Sequence, residues 1–501
     1  MAGDSYLLAL DQGTTSTRAI LFDQDGRAVQ EARRPLPQHF PQPGWVEHDA
    51  EDIWRDAVHC LREVLRLAGI RAGQVAGVGI TNQRETTVLW DRASGAPLGR
   101  AIVWQDRRTA AHCADLIRAG HADRIAAITG LVVDPYFSGT KLAWLLDRHD
   151  PGRAMARSGR LGFGTIDCFL LWRLTGGVHR SDETNASRTL MWDLAAGRWS
   201  DEMLDLLDVP AALLPEVLPS VAPFGTLRAD VLGAPVPVWA MAGDQQAAAF
   251  GQVCDRPGTV KATFGTGCFV VVNAGATPPR SRHRLLSTAL CRTGGAPCFG
   301  LEGSIFMAGA TVQWLRDGLG ILRNAGESEA MAARARADAR VHLVPAFAGI
   351  GAPHWDPDAR GAILGLTRDS GPDEIVRAGL EAVGFQTDDL ITAVGEDLAD
   401  LGVPTPGVLR VDGGMTVNDW AMQFLADVTG LVVERPTNIE TTALGAAFLA
   451  GVGAGVYADA GDVAALWRLD RRFEPVMSAD ERGARRAGWR EAVSRVLTGR
   501  A

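Results

Sequence analysis

The chain has 501 residues, 47% apolar and 22% charged, with 59 acidic against 50 basic side chains and a net charge of −9. That length exceeds what one core supports and predicts two domains. The negative balance argues against nucleic acid or an acidic membrane as partner. The seven cysteines are scattered with no C-x-x-C pair, which speaks against a disulfide framework and a structural zinc site. No apolar stretch reaches the ~18 residues of a membrane span. Met1 to Ser5 lack the basic and apolar regions of a secretion signal, so a cytoplasmic protein with no membrane insertion is expected.

The first predicted element is a hairpin over Leu7 to Asp23. An apolar run ends in Asp11, the turn Gln12-Gly13-Thr14-Thr15-Ser16 follows, and a second apolar run leaves through Arg18. A tight glycine-containing turn with hydroxyls and a cation is suited to phosphate, and a carboxylate such as Asp11 to Mg²⁺. After Gly26 a third short run leads to a proline-rich loop, Pro35 to Pro43. A helix is predicted over Asp49 to Ala68, with Asp49 as cap and Gly69 as stop. A buried strand, Val75 to Ile80, runs into Asn82-Gln83-Arg84-Glu85. At a strand end, the Arg can donate to hydroxyl groups and the Glu accept from them; the plainer alternative is a surface ion pair worth about 0–1 kcal/mol. Val88 to Trp104 reads as a hairpin. A strand over Pro235 to Met241 delivers Gly243-Asp244-Gln245-Gln246 to the start of a small-residue helix. Asp244 is there either a base near a substrate hydroxyl or a helix N-cap.

A second hairpin, Lys261 to Asn273, repeats the first around Gly265-Thr266-Gly267. Two phosphate-type turns point to a duplicated fold closing on one nucleotide, with the boundary near Gly251 to Gly258. Further on, Leu301-Glu302-Gly303 is expected to open a helical run through Gln313 and Trp314, and Val341 to Phe347 to form a strand. Leu409 to Gly414 reads as a strand with a Gly-Gly turn ahead of a helix from Asp419. Thr441 to Ala447 opens a helix of small residues, and Ser478 caps a charged terminal helix. Neither lysine, Lys141 or Lys261, lies in a G-x-x-x-x-G-K-[ST] loop, and the V-A-I-K, H-R-D and D-F-G set is missing; a nucleotide would be handled by another architecture.

The order of these segments, among them ALDQGTTSTRAI, GITNQRETTVLW, DPYFSGTK, TNASRT, AGDQQAA, TFGTGCF and LRVDGGMTVND, resembles the FGGY carbohydrate kinases along nearly the whole chain. The resemblance implies an α/β fold of two actin-like (ribonuclease H-like) ATPase domains, 1–251 and 252–501, around a catalytic cleft. It implies transfer of the γ-phosphoryl of ATP to glycerol, with Mg²⁺, in a homodimer or homotetramer. By match to the family, Arg84, Glu85, Trp104, Tyr136, Asp244, Gln245 and Phe269 line the glycerol pocket and Asp244 is the catalytic base. Thr14, Thr15, Ser16, Arg18 and Thr266 match the phosphate turns; Gly309, Gln313, Gly414 and Asn418 match the nucleotide pocket; Asp11 and Asp244 match the metal-associated carboxylates. The alternatives are a kinase of the same family acting on another small polyol or triose, such as dihydroxyacetone, and a non-catalytic nucleotide-dependent scaffold. Two departures stand out. Arg228 to Pro235 lacks the Gly-Gly-x-x-x-Arg loop that binds fructose 1,6-bisphosphate in some relatives, and Asp388 replaces a basic residue.

Overall fold

The computed structural model describes residues 5–499; Met1 to Asp4, part of the stretch read for a secretion signal, lie outside the described residues. Two sheets organise the chain. The first contains β1 (Tyr6–Gln12), β2 (Ser16–Phe22), β3 (Ala28–Pro35), β4 (Val75–Asn82), β5 (Val221–Leu227) and β6 (Val236–Gly243), in the order β5-β6-β4-β1-β2-β3. The second contains β7 (Val260–Phe264), β8 (Cys268–Gly275), β9 (Leu286–Ala289), β10 (Phe299–Ile305), β11 (Val408–Asp412), β12 (Val432–Pro436) and β13 (Leu469–Phe473), in the order β9-β10-β8-β7-β11-β12-β13.

Each sheet starts from a tight antiparallel hairpin, β1–β2 or β7–β8, and continues on the other side through two parallel strands. Parallel neighbours need a crossover, and sites collect at their carboxyl ends. Register makes this concrete: Asp11 lies opposite Thr81, and Gly243 opposite Asn82. Asp11, Arg84 and Asp244 therefore emerge along one edge of the first sheet.

The helices that bear on the site and on the packing of the halves are α1 (Ala50–Ala68), α2 (Ser138–His149), α3 (Asp244–Gly251), α4 (Gly309–Asp317), α5 (Pro372–Asp400), α6 (Asp419–Thr429), α7 (Thr441–Gly453) and α8 (Ala479–Ser494). In α1 the Asp49 carboxylate accepts from the Glu51 N–H, Gly69 closes the helix at φ 69°, and Ile53, Leu61 and Val64 are buried. Among the described residues no helix is long and apolar enough to cross a membrane.

The halves exchange helices. α7 follows a strand of the second sheet, yet Ala443, Leu444, Ala447 and Phe448 pack on Leu7, Ala9, Ile20 and Phe22 of the first. α3 follows the first sheet, and its Ala249 packs with Val271 and Leu290 of the second half. The two helices meet main chain to main chain: a Cβ on Gly445 would lie 1.9 Å from the Ala247 carbonyl oxygen, and one on Gly251 would lie 2.4 Å from that of Thr441.

Four expectations need correction. Phe299–Ile305 is a strand buried at every residue, and helix begins only at Gly309. Val88–Asp91 has its regular antiparallel partner in Leu161–Gly164; only isolated bridges, Trp90 to Pro97 and Thr87 to Ile102, join it to the expected return. The strand in 341–347 is confined to His342–Val344. Asp244 is the first residue of α3, and Gly243 occupies the cap position. A short apolar run carries no record of its distant partner, so period alone left the first two open.

Candidate functional site

The first turn is closed by the Gly13 N–H donating to the Ser16 carbonyl at 2.9 Å. Thr15 stands exposed at its tip, whereas Ser16 is buried. Asp11, at the end of β1, is buried, and Arg18 from β2 donates to its Oδ2 at 2.5 Å. Arg18 also donates to Glu440, just ahead of α7, at 2.6 Å. The two carboxylates, Asp11 first, raise the Arg18 pKa against the effect of burial. Arg18 thus neutralises Asp11 and joins the halves.

Arg84 and Glu85 are both buried, so the surface-pair alternative does not hold. Nor do they pair with each other. Arg84 donates through both terminal nitrogens to Glu302 on β10, with one bond at 2.9 Å and the other very short. Its Nε faces Asp244 at 3.1 Å, and Gln246 accepts at 3.3 Å. Glu85 accepts from Arg188 at 2.7 Å, and Arg188 donates to Glu302 at 3.0 Å. Burial alone would raise the Glu302 carboxyl, but Arg188 and Arg84 together hold it at about 2. For Glu85 burial prevails over the same guanidiniums and the carboxyl is raised. The Glu85 backbone is left-handed, at φ 58°, a strain of about 1–3 kcal/mol that persists where surroundings enforce it. Here Ser138 at the start of α2 and Thr87 both donate to its carbonyl at 3.0 Å.

An aromatic wall faces these charges. The Trp104 ring centroid is 5.6 Å from that of Tyr136 and 6.3 Å from that of Phe269. The Arg84 guanidinium lies 5.9 Å from the Phe269 ring. The Trp104 indole N–H donates to Thr14 Oγ1 at 2.9 Å, tying the wall to the first turn. Asp244 leaves 30% of its side chain exposed between wall and charges; burial raises its carboxyl, opposed by Arg84 and Lys261. Gln245 Oε1 accepts from Lys261 at 2.5 Å, and the same ammonium donates to Thr263 Oγ1 and the Phe269 carbonyl. A small polyol fits such a place: carboxylates and a guanidinium for hydroxyl groups, aromatic edges for carbon.

The second turn is closed by the Gly265 N–H on the Gly267 carbonyl at 2.9 Å, and Thr266 is exposed. It seats on the start of α4: Ala308 and Ala310 donate to the Thr266 carbonyl at 3.0 Å, and a Cβ on Gly309 would meet the Gly265 oxygen at 2.6 Å. Gln313 is exposed on the next turn of α4. Gly413 has φ 91°, with Phe264 close behind it, and Gly414 beside it faces open space. The Oδ1 of Asn418 caps α6 by accepting from the Ala421 N–H at 2.9 Å, and its Nδ2 donates to Ser328 at 3.1 Å.

Against known families, residues 6–251 match the N-terminal domain of the FGGY family of carbohydrate kinases, and residues 260–454 its C-terminal domain. The chain belongs to the FGGY carbohydrate kinases. Relatives within the family include the glycerol kinase of Ectopseudomonas mendocina, 54% identical over 98% of this chain and 99% of that one. Glycerol kinase 1 of Pseudomonas aeruginosa is 55% identical over the same shares. Among solved structures, Plasmodium falciparum glycerol kinase with ADP superposes with a TM-score of 0.91 at 32% identity, covering 99% of this chain and 98% of that one. A xylulose kinase of Lactobacillus acidophilus reaches 0.86 at 20% identity over 99% of both chains and shares the fold.

Two residues at the centre of the site, Arg188 and Glu302, were not singled out from the sequence. Arg188 lay in the TNASRT segment without a role. Glu302 was hidden by the helical reading of its strand. The available signal was a lone acid inside an apolar run, which needs a buried cation as partner.

Proposed function

We propose that this chain transfers the γ-phosphoryl group of ATP to a terminal hydroxyl of glycerol, giving sn-glycerol 3-phosphate and ADP. The observation that carries the proposal is the Arg84–Asp244 pair at 3.1 Å beside the Trp104–Tyr136–Phe269 wall, in a chain about 54% identical to glycerol kinases along nearly its full length. Residues 1–251 supply most of the acceptor pocket and the first turn in this scheme, and 252–501 add Phe269 to the wall and supply the nucleotide side.

Arg84, Glu85 and Tyr136 orient the hydroxyl groups. Asp244 accepts the proton of the attacking hydroxyl as its oxygen bonds to phosphorus and the bond to the ADP oxygen breaks. Phosphoryl transfer has a loose transition state, so placement of the nucleophile counts for more than base strength. The Thr14–Ser16 and Gly265–Gly267 turns present hydroxyls and main-chain N–H groups to the phosphates. Asp11 and Asp244 fit Mg²⁺ by their chemistry: both are carboxylate oxygen donors, and Mg²⁺ characteristically takes one or two carboxylates plus substrate phosphates. When bound, the ion neutralises charge developing on the phosphates. We further assign the protein to the cytoplasm and to a homodimer or homotetramer, on the resemblance to its relatives.

The test is ADP release with Mg-ATP and glycerol, dihydroxyacetone, xylulose or no acceptor, in wild type and Asp244→Asn. We expect strong preference for glycerol, and loss of at least 10²–10⁴-fold in turnover with glycerol binding retained in the variant. Unchanged turnover in Asp244→Asn would overturn the role of the base; preference for dihydroxyacetone would move the acceptor assignment to that triose.

A further inference from the structure

Arg188 and Glu302 have no task in the mechanism above, yet both are fully buried. Charge removed from water costs several kcal/mol per ion unless well paired, and apolar residues of similar volume often serve stability better. The pairing here has a direction. Glu85, Arg188, Glu302, Arg84 and Asp244 alternate in sign and form one unbroken series, with links of 2.7 Å from Glu85 to Arg188, 3.0 Å on to Glu302, a bidentate pair on to Arg84 and 3.1 Å on to Asp244. Both ends are candidate acceptor-binding groups. Four members belong to the first half; Glu302 alone comes from the second, on β10.

We propose that Glu302 is the positioning residue of the acceptor site, holding Arg84 directly and Glu85 through Arg188, so that the polyol-binding groups are oriented only when the second sheet is docked on the first half. The proposal rests on the acceptor pocket assigned above. A bidentate carboxylate fixes the plane of a guanidinium, and this one leaves Nε of Arg84 aimed at Asp244. Arg84 and Glu85 cannot orient each other, because the left-handed backbone at Glu85 sends adjacent side chains to different partners. Neither turn contributes a hydrogen-bond partner to Glu302. Its loss therefore falls on the acceptor and spares the nucleotide.

The experiment uses the full-length protein with glycerol and ATP varied independently, in Glu302→Gln and Glu302→Asp. Losing a charged, buried hydrogen bond at the anchor predicts a KM for glycerol raised about ten- to a hundredfold in the Gln variant. The KM for ATP stays within about twofold, and the Asp variant recovers part of the loss. A Gln variant with both KM values unchanged overturns the proposal, as does one in which kcat and both KM values worsen together in step with a falling melting temperature. Should Glu302→Gln fail to fold, Arg188→Lys breaks the neighbouring link with its charge kept, and the same split in KM is required of it. If the wild type uses dihydroxyacetone rather than glycerol, the acceptor assignment fails, and the split measured on that triose still decides the role of Glu302.

Discussion

Gly445→Ala probes the main-chain contact between α3 and α7. The added Cβ would lie 1.9 Å from the Ala247 oxygen, 2.7 Å from its carbonyl carbon and 3.0 Å from the Gly251 nitrogen. All three are main-chain atoms of α3, so no side chain can swing aside. Restoring an ordinary contact of 3.4 Å means separating the helices by roughly 1.5 Å, in an interior packed like an organic crystal. Overpacking costs about 1–3 kcal/mol, and rigid walls on both sides place this change at the upper end. For a unit of about 250 residues that corresponds to a melting temperature lower by ~6–12 °C. Asp244 opens α3, so the same shift displaces the proposed base, and a misplacement of about 1 Å costs on the order of 10²-fold in rate. Calorimetry and initial rates well below the transition check both numbers. Gly483→Ala is the control: Gly483 lies on the exposed face of α8 with nothing within 4 Å of its Cβ, and the change is expected to stabilise by about 0.5–1 kcal/mol. A Gly445→Ala protein that melts within about 2 °C of wild type with full kcat would refute the reasoning.

Two further predictions concern other parts of the chain. Asp389 accepts from the Trp489 indole at 2.7 Å, and burial, only partly offset by that bond, pushes its carboxyl up to about 7. An acid raised in the folded state costs stability that sets in above its unfolded value near 4 and is complete above about 7. Asp389→Asn should therefore melt above wild type at pH 8, with the gap closing towards pH 4–5; no gap at pH 8 would refute this. Trp104→Phe removes the indole bond to Thr14 Oγ1 and should raise the KM for glycerol and for ATP by about two- to tenfold each. A rise confined to glycerol would show that the wall and the first turn act separately.

Both hairpins, α1 and the helix at Thr441 were legible because their signals are local: glycine turns between apolar runs, a capping Asp49, a closing Gly69. The candidate pocket was legible as a set of residues by resemblance, and its wiring was not. Glu302 meets Arg188 across 114 residues and Arg84 across 218, and no periodicity records such a pairing. Asp388, unexplained in the sequence, proves to be the partner of Arg486 on α8 at 2.5 Å, 98 residues along the chain. Arg18 and Asn418 were legible by type, and the partners that hold their side chains, Asp11, Glu440 and Ser328, were not.

The exchange of α3 and α7 sets a timetable for biosynthesis. The strands β1 and β2 are made first, but the helix that covers Leu7, Ala9, Ile20 and Phe22 starts about 190 residues after α3 ends. At 5–20 residues per second the ribosome needs ~10–40 s to deliver it. During that interval the nascent first half exposes an apolar face, a substrate for holdase chaperones and a liability for aggregation. A gene cut at 251/252 would make this interval permanent: the fragment 1–251 is expected to be insoluble alone and rescued by co-expression of 252–501.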